Sequence, residues 1–135
     1  MSSNDVLDRA DIKDIVERFY QTMLKDPIVG YLFTDIARID LDHHLPIVTD
    51  FWADILFKER SYKGNPLAKH QDLHKKVPLR PGHFTRWLYL FNQAVDARHC
   101  GKNASLMKKT AEGIAKTIAA SLVSGKRKDL NLVLD

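Results

Sequence analysis

Apolar residues recur with the period of an α-helix along most of this chain, and this pattern limits the fold more than any other feature. In the first segment they fall at i, i+3, i+4, i+7, i+11 and i+12, which is one stripe of an amphipathic helix: Ile12, Ile15, Val16, Phe19, Met23 and Leu24. Pro27 and Gly30 predict the end of this helix. No stretch shows the alternation of a strand bounded by hairpin turns. The sequence therefore predicts an all-α protein.

Two further segments predict long helices in the middle of the chain. One is expected to begin near Asp42, with Pro46 close enough to its start to be tolerated. Its apolar residues cover more than half of its circumference: Ile47, Val48, Phe51, Trp52, Ile55 and Leu56. The next is expected from about His83 to Cys100, with Gly101 as its C-terminal stop.

A last long helix and one short helix complete the predicted bundle. The last helix is expected to start at Asn103, as its N-cap, and to keep its period until Gly125. The stretch NPLAKHQDL has the pattern of a short helix, because Asn65 can accept from the free amides of a first turn and Pro66 needs no partner there. This places His70 just past a well-capped helix start, between two loops.

Length and composition favour a single domain. At 135 residues, 44% of them hydrophobic, the chain can bury one core, with residues 1–10 and 126–135 expected to be peripheral or flexible. One cysteine, Cys100, excludes an internal disulfide, a cysteine-built metal site and covalently attached haem. The start has no secretory pattern and no apolar run reaches spanning length, so we expect a cytoplasmic protein without a membrane partner. No apolar stripe is left over for an interface, so we expect a monomer.

The formal charge of +4 comes largely from the C-terminal third. Its basic residues are Lys102, Lys108, Lys109, Lys116, Lys126, Arg127 and Lys128. One alternative for the chain is therefore a non-haem helical module that binds an acidic partner or nucleic acid through this region. A solvated helix face is the favoured interpretation, because no aromatic residues alternate with these lysines to stack bases.

Three polar-tipped side chains lie on or beside the apolar stripes: Tyr20, His44 and Trp87. Buried tyrosine and tryptophan need hydrogen-bond partners, and each residue alone is readily satisfied by a backbone carbonyl. Together with His70 on its own short helix, they predict a pocket with donors on one side and a single base on the other. Such an arrangement suits haem iron, which needs one proximal imidazole and a polar distal side. Candidate apolar walls are Phe33, Val48, Phe51, Trp52, Phe84 and Leu88.

Four stretches, in this order, resemble the truncated haemoglobins, and most closely their third group: FYQTMLKD, HHLPIVTDFWADIL, SYKGNPLAKH and HFTRWLYLF. The resemblance covers roughly residues 12–122, and its most specific parts are the FW pair and the Y-x-G-x-P-L-x-x-H run. It implies a truncated globin fold, a two-over-two helical sandwich around haem b.

The resemblance also implies roles for individual residues. His70 matches the proximal iron ligand, Tyr20 and Trp87 the distal donors, and His44 the gate histidine, which could also bind the iron itself. Val48 matches the apolar residue one turn after the gate, and Phe33 the corner phenylalanine on the haem. Partners for the haem carboxylates are expected on the proximal side: Tyr62, Lys69 and Arg80.

As a function, the resemblance implies a haem-binding globin that takes O₂, CO or NO. A polar distal side would slow ligand dissociation and favour chemistry on the ligand, such as NO detoxification or a peroxidase-like reaction. Turnover of NO or peroxide would need an external reductase. We assign no catalytic residue to this chemistry. A role as a sensor is disfavoured.

The segment QDLHKKVPLRPGHFTR is a few residues longer than the family pattern, which leaves the carboxylate partners open. His74 lies four residues after His70, but no third ligand stands nearby at a zinc spacing, so a zinc site is disfavoured. His43 is expected to be exposed. The remaining candidates are expected to be structural or exposed: His83, His99 and Cys100.

Overall fold

Four α-helices form the part of the chain that the computed structural model describes, namely residues 4–36, 38, 40–60, 62 and 79–124. They are α1 (Arg9–Met23), α2 (Leu41–Phe57), α3 (Pro81–Asp96) and α4 (Lys102–Ser124), with a π-helical turn at Leu32–Ile36 between α1 and α2. Helix α1 packs against α2 and α3, while α4 packs against α3 and, over a smaller area, α2. None of these helices is both long enough and apolar enough to cross a membrane.

The helix starts follow local capping chemistry. The carboxylate of Asp8 accepts from the amide of Asp11 at 3.0 Å, and α1 begins at the next residue after this cap. In the same way Asp40 accepts from the amide of Asp42 at 3.1 Å, so α2 begins close to the position that the sequence predicts. Helix α2 contains Pro46 in its first turns, as expected.

The predicted stripe of α1 forms the centre of the core. Ile12, Ile15 and Met23 are fully buried, and Val16 and Phe19 are nearly so. Leu24 is half-buried at the end of the helix. Because each of these residues lies on one face, α1 buries that face against two helices at once, which explains its central position.

The junction between α3 and α4 differs from the prediction. Helix α3 ends at Asp96 rather than Cys100, because His99 forms a bridge with Asn4 and the amide of Cys100 donates to the Asn4 carbonyl at 3.2 Å. The predicted stop at Gly101 is therefore wrong. Gly101 has φ +137°, and a Cβ there would lie 2.7 Å from the carboxyl carbon of Asp5.

The start of α4 is capped across the molecule instead of locally. The carboxylate of Asp5 accepts from the amides of Asn103 and Ala104 at 2.9 and 2.8 Å. The predicted cap, Asn103, instead donates its side-chain amide to the carbonyl of Val6 at 2.7 Å. Val6 is fully buried. The chain is therefore packed into the core at this position, within a segment, residues 1–10, that the sequence predicts to be peripheral or flexible.

Three predictions fall outside the described residues. They are the short helix that begins at Asn65, the loop around residues 74–78 and the tail at 126–135. Two predicted site residues, Lys69 and His70, lie in the first of these segments.

Candidate functional site

An apolar cavity lies between α3, α4 and the corner that follows α1. It is partly open to solvent. Its lining comprises Val29, Leu32, Phe33, Leu79, His83, Phe84, Trp87, Ile114 and Ile118. Apolar walls with few polar groups are typical of a binding site for a small organic ligand or cofactor.

Three of the predicted site residues line this cavity. Phe33 reaches it from the π-helical turn, whereas Phe84 and Trp87 stand three residues apart on α3 and therefore share a face. The structure thus brings together residues from predicted segments that are about 50 positions apart in the sequence.

The other predicted walls lie beside the cavity rather than in its lining. Val48, Phe51 and Leu88 are half-buried against the core. Trp52 is 3% exposed and stacks on Phe91, with ring centroids 5.1 Å apart and planes at 19°. Trp52 is thus part of the helix core, and its contact with a cofactor remains a prediction.

Tyr20 and His44 form a hydrogen-bonded pair between α1 and α2. The Tyr20 hydroxyl lies 2.7 Å from Nε2 of His44, and the two rings meet edge to face with centroids 5.1 Å apart. Tyr20 is 6% exposed, and burial raises its pKa above the ordinary value of the phenol. The hydroxyl is therefore neutral and keeps its proton at physiological pH.

Aromatic contacts join this pair to the cavity. The Tyr20 ring lies edge to face on Phe33, with centroids 6.4 Å apart, and its neighbour Phe19 meets Trp87 in the same way at 5.6 Å. Both Phe33 and Trp87 line the cavity. The predicted distal residues Tyr20, His44 and Trp87 therefore belong to one continuous cluster.

A partly buried ion pair holds two walls of the cavity together. Asp26, which is 7% exposed, accepts from Nε of Arg86 at 2.8 Å and from the amides of Ile28 and Val29 at 2.9 and 3.1 Å. Arg86 precedes Trp87 on α3, and Val29 is itself part of the lining. Burial alone would raise the pKa of Asp26, but the hydrogen bonds from Arg86 and the two amides outweigh it and lower the pKa.

Replacing Asp26 by asparagine is expected to lower the free energy of unfolding by about 1–3 kcal/mol at neutral pH, since it removes the charged acceptor of Arg86. Because the folded-state pKa of Asp26 is lowered, its contribution is present above the unfolded value of about 3.9 and is lost as the pH falls through the folded value. Urea unfolding of both proteins at neutral and acid pH measures this difference.

Asp96→Asn provides the matched control, because Asp96 forms an exposed pair with Lys108 at 2.7 Å, worth less than about 1 kcal/mol. The assignment of a lowered pKa to Asp26 would be contradicted by one result: a loss of unfolding free energy in Asp26→Asn that stays constant from neutral pH down to pH values well below about 4.

Sequence reasoning missed several residues of the lining. Ile114 and Ile118 lie on the predicted stripe of the last helix, but a stripe does not tell which of its members face a cavity. Val29, Leu32 and Leu79 lie in connections between the helices, where the sequence has no hydrophobic periodicity. His83 was expected to be structural or exposed, whereas it is half-buried and lines the cavity.

The candidate carboxylate partners have different environments. Arg80 is exposed and immediately precedes α3, between the lining residues Leu79 and His83. Tyr62 packs its ring on Phe51, with centroids 5.1 Å apart, and its amide donates to Asp54 at 2.8 Å. A positive charge is therefore available at this edge of the cavity.

The remaining histidines agree with the prediction. His43 is exposed, and His99 is buried with Nδ1 3.2 Å from the carbonyl of Asn4, a structural role. Among the described residues, no group of three or more histidine, cysteine or acidic side chains could hold a metal ion. Two of the C-terminal lysines form ion pairs on the helix surface, Lys108 with Asp96 and Lys116 with Glu112.

Comparisons with known proteins agree with this geometry. The family model of the bacterial-like globins matches residues 6–120. The group 3 truncated hemoglobin ctb of Campylobacter jejuni subsp. jejuni is 29% identical over 114 residues, which cover 82% of this chain and 87% of that protein. The crystal structure of group III truncated hemoglobin from Campylobacter jejuni superposes with a TM-score of 0.79 at 26% identity, covering 93% of this chain and 99% of that one.

These likenesses extend over the helices that build the cavity and the Tyr20–His44 pair. The predicted fold, all-α with the truncated globin arrangement, is confirmed by the superposition. The chain belongs to the bacterial-like globin family and, as its sequence predicts, resembles the third group of truncated haemoglobins.

Proposed function

We propose that this globin holds haem b in the cavity between α3, α4 and the corner after α1, with His70 as the iron ligand, and that it binds O₂, CO or NO. Membership of the globin family implies haem binding. The observation that carries the proposal is the buried Tyr20–His44 pair, which contacts Phe33 at the cavity wall.

The described residues fit such a cofactor. Eight of the nine lining residues are apolar or aromatic, which suits the faces of a planar macrocycle, and Arg80 supplies a positive charge beside the lining for its carboxylates. Phe33, Phe84 and Trp87 would pack on the macrocycle. When bound, haem iron supplies a coordination position for a diatomic molecule.

The pair Tyr20 and His44 can supply a hydrogen-bond donor to such a ligand. The hydroxyl has one proton, which Nε2 of His44 accepts when that nitrogen is unprotonated. When Nε2 carries the proton, His44 donates to the Tyr20 oxygen and the hydroxyl proton becomes available to the ligand. His44 therefore sets the direction in which Tyr20 donates, and Trp87 offers a second donor from α3.

A donor in a dry site stabilises ligands that accumulate negative charge. Slow release suits chemistry on the ligand better than bulk transport, so we extend the proposal to conversion of NO to nitrate. In that reaction NO, O₂ and one electron combine to give nitrate, and the electron must come from a separate reductase. Peroxide activation is a related use of the same donors.

The proposal is tested on the full chain reconstituted with haemin. We expect a haem spectrum, a CO form after reduction, and, when the reduced protein is exposed to air and then to NO, up to one nitrate per haem. Haemin alone at the same concentration serves as the control. If the protein takes up no haemin, the function is wrong; if it binds CO but yields no more nitrate than haemin alone, only the NO reaction is lost.

A further inference from the structure

His83 is the polar exception in an otherwise apolar cavity lining. The residue lies in the first turn of α3, one turn before Trp87, and is half-buried. A histidine among apolar neighbours requires a reason, because burying a polar group without a partner costs free energy.

Two contacts fix the orientation of the imidazole. The amide of Arg80 donates to Nδ1 at 2.9 Å, and the ring of Tyr31 packs against it with centroids 6.3 Å apart. Since Nδ1 accepts, the proton of the neutral ring lies on Nε2, on the other side of the imidazole. In the part of the chain that the structure describes, no residue accepts a hydrogen bond from this nitrogen.

The charge state of His83 is also defined by its surroundings. Burial, and then the positive charge of Arg80, lower the pKa of His83 below its ordinary value. The ring is therefore a neutral donor at neutral pH, and the cationic Arg80 side chain stands close enough to repel its protonated form. A neutral N–H donor beside a guanidinium is a suitable environment for a carboxylate.

We propose that His83, through Nε2–H, binds a carboxylate of the cofactor together with Arg80. The proposal rests on the proposed haem-binding function and adds a residue to it. It assigns His83 two roles on one ring: Nδ1 caps the start of α3, and Nε2 anchors the cofactor at the edge of the cavity. The alternative is that His83 only caps the helix.

Two substitutions separate these roles. His83→Asn places a polar atom near the position of Nδ1, so it can still accept from the Arg80 amide, but it is too short to replace Nε2. His83→Gln places its amide nitrogen near the position of Nε2 and can still donate. We expect His83→Asn to weaken haemin binding about tenfold, as for loss of one charged hydrogen bond, and His83→Gln to retain most of the affinity.

The cofactor supplies the second half of the test. Haemin dimethyl ester lacks both anionic carboxylates, so affinities of each variant for haemin and for the ester form a double-mutant cycle. We expect His83→Asn to reduce the affinity for haemin and to leave the affinity for the ester unchanged. The readout is equilibrium binding, followed by the visible absorption band and by quenching of tryptophan fluorescence.

Each result distinguishes the roles. Equal losses for haemin and ester, or unchanged binding of haemin by His83→Asn, would overturn the proposal and leave His83 as a helix cap. Unfolding of His83→Asn and His83→Gln is compared without haemin, since a cap role predicts that His83→Gln is the less stable variant. If the unmodified protein binds neither cofactor, the haem-binding function itself fails.

Discussion

Replacement of His70 by alanine is expected to remove high-affinity haem binding. The resemblance to truncated haemoglobins assigns His70 as the iron ligand, and the sequence NPLAKHQDL predicts a capped helix start before it. If His70 binds the iron, its removal would leave only apolar packing and carboxylate contacts to hold the cofactor. We expect haemin affinity to fall by more than about tenfold, and the reduced CO spectrum to lose the form that an imidazole opposite CO produces.

Two companion variants make this result specific. His74→Ala removes a histidine four residues away and should leave the haem spectrum unchanged. His70→Gly should regain a CO spectrum of the imidazole type when imidazole is added in solution. Such rescue cannot come from a general loss of fold.

A His70→Ala protein with an unchanged spectrum and affinity would contradict the assignment. Another histidine would then bind the iron, and His44 is the first to examine, because its Nε2 already faces the Tyr20 hydroxyl. The spectrum of the His44→Leu, His70→Ala double variant would decide this.

The helices could be predicted because their signals are local. The stripe of Ile12, Ile15 and Phe19 repeats within one element, and the carboxylates at Asp8 and Asp40 lie next to the helices that they cap. The start of α4 is different, since its cap is Asp5, about 100 residues earlier in the chain. No pattern in the last segment indicates that contact, so the sequence predicts Asn103 as the cap instead.

The sequence also does not predict which of the two tryptophans lines the cavity. Trp52 and Trp87 both lie on apolar helix faces, and both stack on Phe91, at 5.1 and 5.5 Å. Only Trp87 also lines the cavity. The difference depends on how α2 and α3 pack, and helical periodicity does not contain that information.

The sequence does not predict that His83 lines the cavity, for a related reason. In sequence it follows Pro81 and Gly82, a context that is typical of an exposed helix start. Its contact with the cavity follows from the position of α4, which supplies Ile114 and Ile118 on the opposite side. The role of a histidine at a helix start thus depends on an element that begins about 20 residues later.

Replacement of Tyr20 by phenylalanine is expected to accelerate O₂ release strongly while preserving the fold. The phenyl ring keeps the edge-to-face contacts with Phe19 and Phe33, so only the hydroxyl is lost. A hydrogen bond to a charged acceptor is worth about 1.5–3 kcal/mol, which corresponds to roughly 10- to 150-fold in the O₂ dissociation rate. Stopped-flow mixing of the reduced, haem-reconstituted protein measures this rate.

Two controls separate the donor from the ring. Tyr89→Phe removes a hydroxyl that accepts from Gln93 on an exposed tyrosine, and should leave O₂ release unchanged. CO accumulates less charge than O₂, so CO release should change far less in Tyr20→Phe. Because burial raises the pKa of Tyr20, the unmodified protein should keep its slow O₂ release through mildly alkaline pH.

His44 should act through Tyr20, because its Nε2 lies 2.7 Å from the hydroxyl and determines which way that proton points. His44→Leu is therefore expected to change O₂ release in the unmodified protein but hardly at all in the Tyr20→Phe background, a non-additive cycle. Additive effects would mean that His44 contacts the ligand independently. An unchanged O₂ dissociation rate in Tyr20→Phe would mean that Tyr20 does not donate to the ligand and that its hydrogen bond with His44 only joins α1 to α2.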